Sequence, residues 1–271
     1  YSNLGRINNV DLREKDGTVH LVTSNRSTST LDYWLFPADD LFNYFKNKPL
    51  NSFSEDIRHV QLKAGMDIYG ICMGLVGGNL RAILTEEEGK TIQYWDLKAR
   101  EIIGTIDITA EETNVPLFGN EAEGCVIDDE NEHIIISREG MRGILNAYDA
   151  NTLEFIKVID SRSGNIGGDP EGVTVYKTTD KEGFIIVSSQ GDSKFNLYSR
   201  QFPFDYIRSF TVNDVTDTDG IDVTNKSIDG LFPQGFLVVQ DGYNSPDNQN
   251  FKIVDMDQVL KKKVMNPGST D

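Results

Sequence analysis

The sequence predicts an all-β fold, a β-propeller made of five blade-like repeats. One pattern recurs along the 271 residues: a polar turn, an apolar strand and then a strand that contains an aromatic residue. The residues that open successive repeats lie 48 to 60 positions apart, which is the length of several short strands joined by tight turns. Helical patterns are rare. The opening residues are Asn9, Tyr69, Glu123, Glu171 and Asp219.

Within each repeat the sequence alternates between strand and turn signals. In the fourth repeat Val173 and Val175 alternate with polar residues, and an apolar run at 184–187 follows the turn "KTTDKEG". Helical spacing of apolar residues occurs in "ADDLFNYFKNK" (38–48) and "DMDQVLKKKV" (255–264), which we predict to be short helices. No linker-like tract divides the chain, so we predict a single domain over residues 1–271.

Composition limits the partners. There are 26 basic and 43 acidic residues, a net charge of −17, which argues against binding to nucleic acid or to an anionic membrane unless cations bridge the like charges. No apolar run is long enough to span a membrane. The chain opens with "YSNLGRINNV", without Met or a signal core, so we expect a trimmed chain, either a mature secreted product or a fragment prepared for expression.

The chain has two cysteines, Cys72 and Cys125, both in strand-like contexts. Two cysteines define no disulfide framework. We predict two small buried residues, with a disulfide between them as the alternative.

The propeller predicts where the repeat-opening residues meet. The innermost strands of a propeller surround a central channel, so Tyr69, Glu123, Glu171 and Asp219 return to one region despite their separation in sequence. Acids held together in this way repel one another unless hard cations with oxygen ligands, such as calcium, lie between them. Asp169, two residues before Glu171, belongs to the same argument. The alternative is that each is a solvated turn acid.

Further candidate residues follow the second strand of their repeats. Glu139, Asp241 and Asn244 can add oxygen ligands at the same rim. Arg26 ends the equivalent strand of the first repeat, and its guanidinium fork suits a phosphate, although a surface ion pair is the alternative. The three histidines lack the spacing of zinc ligands, and the nucleotide-binding and serine-hydrolase motifs are absent.

Several segments together resemble the β-propeller phytases, the calcium-dependent alkaline phytases of bacteria. These segments are "INNVDLR", "SNRS", "EAEGCVIDDENEHIIISREG", "DPEGVTVY", "SSQGDSKFNLYSRQ", "DTDGIDV", "FLVVQDGYN" and "NQNFK". The resemblance covers nearly the whole chain and implies a six-bladed propeller that is secreted or periplasmic. It also implies a 3-phytase-type phosphoric monoester hydrolase that acts on myo-inositol hexakisphosphate (phytate) or lower inositol phosphates, with several Ca²⁺ ions and a calcium-activated water.

The resemblance also implies roles for individual residues. Glu123, Glu171 and Asp219 match calcium ligands of the cleavage site, with Asp169 beside them. Glu139 matches an acid of the adjoining substrate-affinity site. Tyr69 and Arg26 match groups that hold the phosphate to be cleaved. Asp241 and Asn244 lie in the stretch that the family uses for structural calcium.

The sequence departs from the family pattern at two places. The family has a blade before "INNVDLR", so five of its six blades are recognisable here, and a companion propeller domain or a homodimer is an expected partner. A family "TGKEGE" segment supplies a phosphate-binding lysine, whereas this chain reads "TEEEGK", which puts Glu87 at that position. These departures favour one alternative, a catalytically weak or inactive calcium- and phytate-binding auxiliary domain of a tandem phytase. A more remote alternative is a calcium-dependent propeller lactonase that acts on uncharged substrates, against which the family motifs count.

Overall fold

The computed structural model describes residues 5–38, 58–109, 121–228 and 230–261. Its described part contains five β-sheets and one short helix. In each sheet the strands lie side by side in chain order, as expected when short strands are joined by tight turns.

The first three sheets have four strands each. The first consists of β1 (Ile7–Lys15), β2 (Thr18–Asn25), β3 (Thr30–Pro37) and β4 (Arg58–Lys63). The second consists of β5 (Ile68–Val76), β6 (Asn79–Glu86), β7 (Thr91–Asp96) and β8 (Glu101–Asp107). The third consists of β9 (Ala122–Asp128), β10 (His133–Arg138), β11 (Ile144–Asp149) and β12 (Phe155–Ser161).

The last two sheets complete the five repeats. The fourth consists of β13 (Asp169–Lys177), β14 (Gly183–Gln190), β15 (Lys194–Ser199) and β16 (Tyr206–Phe210). The fifth has three described strands, β17 (Ile221–Thr224), β18 (Phe236–Asp241) and β19 (Asn250–Asp255). The five predicted repeats therefore correspond to five blade-like sheets.

The helix predictions have different outcomes. Helix α1 (Met256–Lys261) forms within the predicted segment 255–264. The acidic Asp257 lies in its first turn and Lys261 in its last, where each charge complements the helix dipole. The other predicted helix, at 38–48, lies outside the described residues from residue 39 onward.

The chain divides into two compact units. One comprises residues 1–136 and 148–156, and the other comprises residues 137–147 and 157–271. The boundary therefore passes through the strands of the third sheet. The prediction of a single domain stays a prediction.

Each unit has its own hydrophobic core. In the first unit, one cluster joins buried side chains of the first and second sheets, including Leu31 and Met73, and another joins the second sheet to strands of the third. In the second unit, Phe195 and Leu197 of β15 pack with Leu237 of β18 and with Met256 of α1. The described part of the chain contains no helix with the length and apolar character needed to cross a membrane.

The prediction of two unpaired buried cysteines is wrong. Cys72 on β5 and Cys125 on β9 form a disulfide, with their Cα atoms 5.7 Å apart. The two residues lie on the first strands of the second and third sheets, which pack against each other within the first unit. The disulfide, which the sequence analysis gave as the alternative, is therefore present in the structure.

Candidate active site

The predicted repeat-opening residues occupy equivalent places in the five sheets. Asn9, Tyr69, Glu123 and Glu171 lie at the second or third residue of the first strand of their sheets. Asp219 lies two residues before β17. The repeat that is visible in the sequence therefore corresponds to a repeat of position in the fold.

A β-bulge marks this position in three of the sheets. The regular pairing between the first and second strands shifts between Ile7 and Val10, between Ile68 and Ile71, and between Pro170 and Val173. Asn9, Tyr69 and Glu171 lie inside these shifts. A bulge bends its strand and re-aims a side chain that regular alternation would have pointed to one face. The bulges therefore set the directions of the candidate site residues.

Glycines beside these residues allow the backbone of the following blade to come close. A Cβ atom added to Gly70 would overlap the carbonyl oxygen of Glu123. One added to Gly172 would lie 2.7 Å from the carbonyl oxygen of Asp219. Only glycine leaves room for these approaches. In the sequence this requirement appears as Gly directly after Tyr69 and Glu171.

Buried serine hydroxyls of the second strands hold the same segments. Ser137 Oγ on β10 donates a hydrogen bond to the carbonyl oxygen of Glu171. Ser188 Oγ on β14 donates one to the carbonyl oxygen of Asp219 over 2.6 Å. Our sequence reasoning missed these serines. The signal that could have found them is the recurrence of Ser in "SNRS", "SREG" and "SSQG" at the end of the second strand.

The structure brings three of the predicted acids together. Glu123, Glu171 and Asp219 each offer a carboxylate oxygen, and these oxygens all lie within 4.8 Å of one another. Glu123 and Glu171 are buried, with relative exposures of 8% and 2%, while Asp219 is partly exposed. We call these residues the acid cluster. A close group of partly desolvated carboxylates favours either protons or a cation.

The surroundings of Asp219 disfavour the ionised form of its carboxyl group. Burial raises the pKa of the Asp219 carboxyl, and the negative charges of Glu139 and Asp217 raise that pKa further. Glu139, predicted for the adjoining affinity site, therefore lies close enough to act on Asp219. A bound cation would act in the opposite direction, since it favours the ionised carboxylates.

Asp169 lies at the start of β13 and outside the acid cluster. Its carboxylate forms an ion pair with the guanidinium of Arg162. Among the described residues, the acid cluster comprises only the three acids named above. The catalytic and metal-binding role of Asp169 stays a prediction.

Asp241 and Asn244 also lie outside the acid cluster. Asp241 is buried, and its carboxylate lies 2.8 Å from Lys252 Nζ and accepts a hydrogen bond from the backbone N–H of Thr216. The hydrogen bond from Lys252 is the main reason why the pKa of Asp241 is lowered. The side-chain amide of Asn244 donates to the carbonyl oxygen of Asn248 over 3.1 Å. Their roles as structural calcium ligands stay predictions.

Arg26 and Tyr69, predicted to hold the phosphate, are in contact. The guanidinium carbon of Arg26 lies 4.4 Å from the centre of the Tyr69 ring, a cation–π arrangement. Arg26 also forms an ion pair with Glu87, the acid at which the sequence departs from the family pattern. Tyr69 precedes Gly70, which the carbonyl oxygen of Glu123 approaches closely. The cationic group is therefore near the segment that carries one member of the acid cluster.

Comparison with known proteins identifies the family. A family model described as Phytase matches residues 1–267. This chain belongs to the phytase family. The resemblance read from the motifs is confirmed, and so is the prediction of a phytase-type hydrolase.

One curated relative gives the measure of the similarity. The phytase-family chain is 28% identical over 280 residues to the 3-phytase of Bacillus subtilis (strain 168). The match covers 95% of this chain and 69% of that protein. The family and this relative support phytate hydrolysis as the activity.

Solved structures show the fold of this phytase-family chain. Hydrazine synthase of Kuenenia stuttgartiensis matches with a TM-score of 0.57 at 12% identity, covering 93% of this chain and 64% of that chain. A chain of the nidogen/laminin complex matches with a TM-score of 0.57 at 10% identity, covering 88% of this chain and 73% of that chain. At these identities the similarity concerns the fold alone. The predicted β-propeller is confirmed.

Proposed function

We propose that this phytase-family chain is a calcium-dependent phosphomonoesterase that removes phosphate from phytate or from lower inositol phosphates. The observation that carries the proposal is the acid cluster, in which one carboxylate oxygen from each of Glu123, Glu171 and Asp219 lies within 4.8 Å of the others. Arg26, which lies over the Tyr69 ring, is a cation that can bind a phosphate.

The acid cluster fits calcium better than the smaller magnesium ion. Calcium accepts about six to eight oxygen ligands in a flexible arrangement, whereas magnesium demands near-ideal octahedral geometry and usually keeps several of its waters. A cluster of three protein carboxylates, two of them buried, is therefore better suited to calcium. The ligand set is also right in kind, because calcium prefers carboxylates.

The roles of the side chains follow from their places. Glu123, Glu171 and Asp219 hold calcium, and Glu139 adds negative charge beside Asp219. When bound, calcium polarises the phosphate and lowers the pKa of a water molecule. Arg26 donates hydrogen bonds to phosphate oxygens, and the ring of Tyr69 supports the plane of its guanidinium.

The charge of the chain explains why a metal is needed. A net charge of −17 repels a substrate with clustered phosphates, so binding requires cations between carboxylate and phosphate. Hydrogen-bond donors alone would have to overcome this repulsion. The proposed dependence on calcium therefore follows from the composition as well as from the acid cluster.

The test is phosphate release from phytate, measured with calcium and with EDTA. We expect EDTA to abolish release, and Glu171→Gln to lower kcat by about 100-fold or more, since it removes one anchor of a charge-stabilising group. Glu154→Gln is the control, because Glu154 is an exposed acid at the turn before β12. Release that survives both EDTA and Glu171→Gln would contradict the proposal.

The second candidate is a calcium- and phytate-binding auxiliary domain with little or no turnover. The observation that favours it is the ion pair of Arg26 with Glu87, which engages the cation proposed for phosphate binding. Isothermal titration with phytate separates the two. Binding that needs calcium but yields no phosphate would favour the auxiliary domain.

Location and partners are also proposals. We infer a secreted or periplasmic location, which is supported by the Cys72–Cys125 disulfide, because disulfides persist in oxidising compartments. A companion propeller domain or a second copy of the chain is the proposed protein partner. Light scattering that shows a monomer over a wide concentration range would count against the homodimer.

A further inference from the structure

We propose that Glu87 sets the affinity of this site for phosphate by occupying the guanidinium of Arg26. This inference rests on the proposed function, in which Arg26 binds a substrate phosphate. It concerns an acid that the proposed function does not use, and it assigns that acid a role in determining which anions the site accepts.

The surroundings of Arg26 leave few donors for a ligand. One face of the guanidinium lies over the Tyr69 ring, and Nη2 is paired with the Glu87 carboxylate. The Nε atom is buried and has no hydrogen-bond partner within the part of the chain that the structure describes. A phosphate that approaches from solvent must therefore use the terminal nitrogens, one of which Glu87 already holds.

The turn that carries Glu87 holds it in place. In the run of three acids, the Glu86 carboxylate accepts hydrogen bonds from two backbone amides of its own turn. Glu88 is exposed and has a positive φ of 52°. The backbone N–H of Glu87 donates to the carbonyl oxygen of Asp67 over 3.0 Å. The loop therefore presents one of its three acids to Arg26.

Relative exposure indicates how an anion meets this ion pair. The Glu87 side chain is 30% exposed and the Arg26 side chain 14% exposed, so the carboxylate is the more accessible member. An incoming phosphate has to displace Glu87 from the guanidinium and also meets its negative charge. Both effects weaken the binding of phosphate at Arg26.

The experiment is a calorimetric titration with inorganic phosphate, at a calcium concentration below that which precipitates calcium phosphate. The proteins are the wild type, Glu87→Gln, Glu88→Gln, Arg26→Gln and the double variant Arg26→Gln/Glu87→Gln. Glu88→Gln is the matched control, because it removes the same charge one residue away. Thermal melting checks folding, and Glu87→Ala provides a second variant if Glu87→Gln does not fold.

We expect Glu87→Gln to lower the Kd for phosphate about tenfold, the effect of freeing one charge-assisted hydrogen bond. Glu88→Gln should change the Kd by less than about twofold, as expected for an exposed charge. Arg26→Gln should weaken binding, and in that background Glu87→Gln should have no further effect.

Three results would overturn the inference. The first is an equal change in the Kd for phosphate in Glu87→Gln and Glu88→Gln. The second is tighter phosphate binding on Glu87→Gln that persists in the Arg26→Gln background. The third is an unchanged Kd for phosphate in Arg26→Gln. A separate outcome concerns only the proposed function. If no variant releases phosphate from phytate but Glu87→Gln still tightens phosphate binding through Arg26, then hydrolysis is wrong and the role of Glu87 stands.

Discussion

At the scale of single residues, the site depends on polar groups that are buried with their partners. Ser188 Oγ holds the carbonyl oxygen of Asp219, and Ser137 Oγ holds that of Glu171. A buried carbonyl group without a donor would cost about 1–3 kcal/mol. These hydroxyls therefore fix the backbone that carries two members of the acid cluster.

Buried tyrosines make the folded state less stable at alkaline pH, because they stabilise it only while their hydroxyls are neutral. The Tyr94 hydroxyl donates to the carbonyl oxygen of Ala150 over 2.9 Å, and burial raises the pKa of Tyr94 from 10.0 to about 12. Because the folded pKa lies above the unfolded value, the neutral hydroxyl stabilises the fold below pH 10. That contribution is lost as the pH rises from 10 toward 12.

We therefore expect Tyr94→Phe to have a pH-dependent cost. At pH 8 the variant loses a hydrogen bond, and its free energy of unfolding should fall by about 1 kcal/mol. Above pH 10 the wild type should lose stability faster than the variant, by up to about 1.4 kcal/mol per pH unit. Urea unfolding of both proteins at pH 8, 10 and 11 measures the gap. A gap that stays constant would show that Tyr94 does not titrate as described.

At the scale of elements, the bulge and its glycine join neighbouring blades. In the second unit, Gly172 follows Glu171 inside the bulge of β13, and the backbone of residues 219–221 lies against it. The same arrangement occurs in the first unit between Gly70 and Glu123. The bulge turns the carboxylate of Glu171 or the phenol of Tyr69 out of the regular alternation. The glycine that follows lets the backbone of the next sheet approach.

Gly172→Ala tests this arrangement. The new Cβ would lie 2.7 Å from the Asp219 carbonyl oxygen and 2.8 Å from the Ile221 nitrogen, both of which are backbone atoms that cannot move independently. We expect a loss of about 1–3 kcal/mol in the free energy of unfolding and weaker calcium binding, since Asp219 must shift. Urea unfolding and a calcium titration measure the two effects.

Gly220→Ala is the control for this prediction. No atom lies within 4 Å of a Cβ added there, although Gly220 directly follows Asp219 in sequence. We expect its free energy of unfolding to change by less than about 0.5 kcal/mol. Equal losses in the two variants would show that close packing at Gly172 is not the cause.

At the scale of the whole molecule, charge is the dominant feature. The chain has 43 acidic and 26 basic residues, so the compact state carries self-repulsion that grows as the carboxylates ionise. A cation that binds the folded state and not the unfolded chain offsets this repulsion and stabilises the fold by mass action.

We therefore expect calcium to raise the melting temperature. At a free concentration of about 100 times Kd the stabilisation is about 2.7 kcal/mol, or roughly 5–10 °C for a chain of this size. Glu171→Gln should reduce the shift, since it removes one carboxylate of the acid cluster. Magnesium should give a smaller shift at equal ionic strength, because it gives up its bound waters more reluctantly than calcium does. Equal shifts with calcium and magnesium in both proteins would indicate general screening of charge instead of a site.

Much of the fold and part of the site could be predicted because the chain repeats. Glu171 and Asp219 lie 48 residues apart in sequence at the same place of consecutive repeats, and a repeating fold brings such residues together. Gly70 and Gly172 were visible in the sequence directly after Tyr69 and Glu171, but their use was not, because the carbonyl oxygen that approaches each of them belongs to the next repeat. The prediction for the two cysteines was wrong for the same reason: strand patterns do not give the distance between Cys72 and Cys125.

The sequence by itself determined the all-β repeat and the three acids of the cluster, because they belong to a local pattern that recurs every 48 to 60 residues. It also determined the phytase family, because several segments along the chain resemble the motifs of that family. Only the tertiary structure decided that Cys72 bonds to Cys125, that Ser188 holds Asp219 and that Arg26 is paired with Glu87. These contacts join residues 53, 31 and 61 positions apart. They depend on how neighbouring strands and loops pack, and no local pattern of residues specifies that packing.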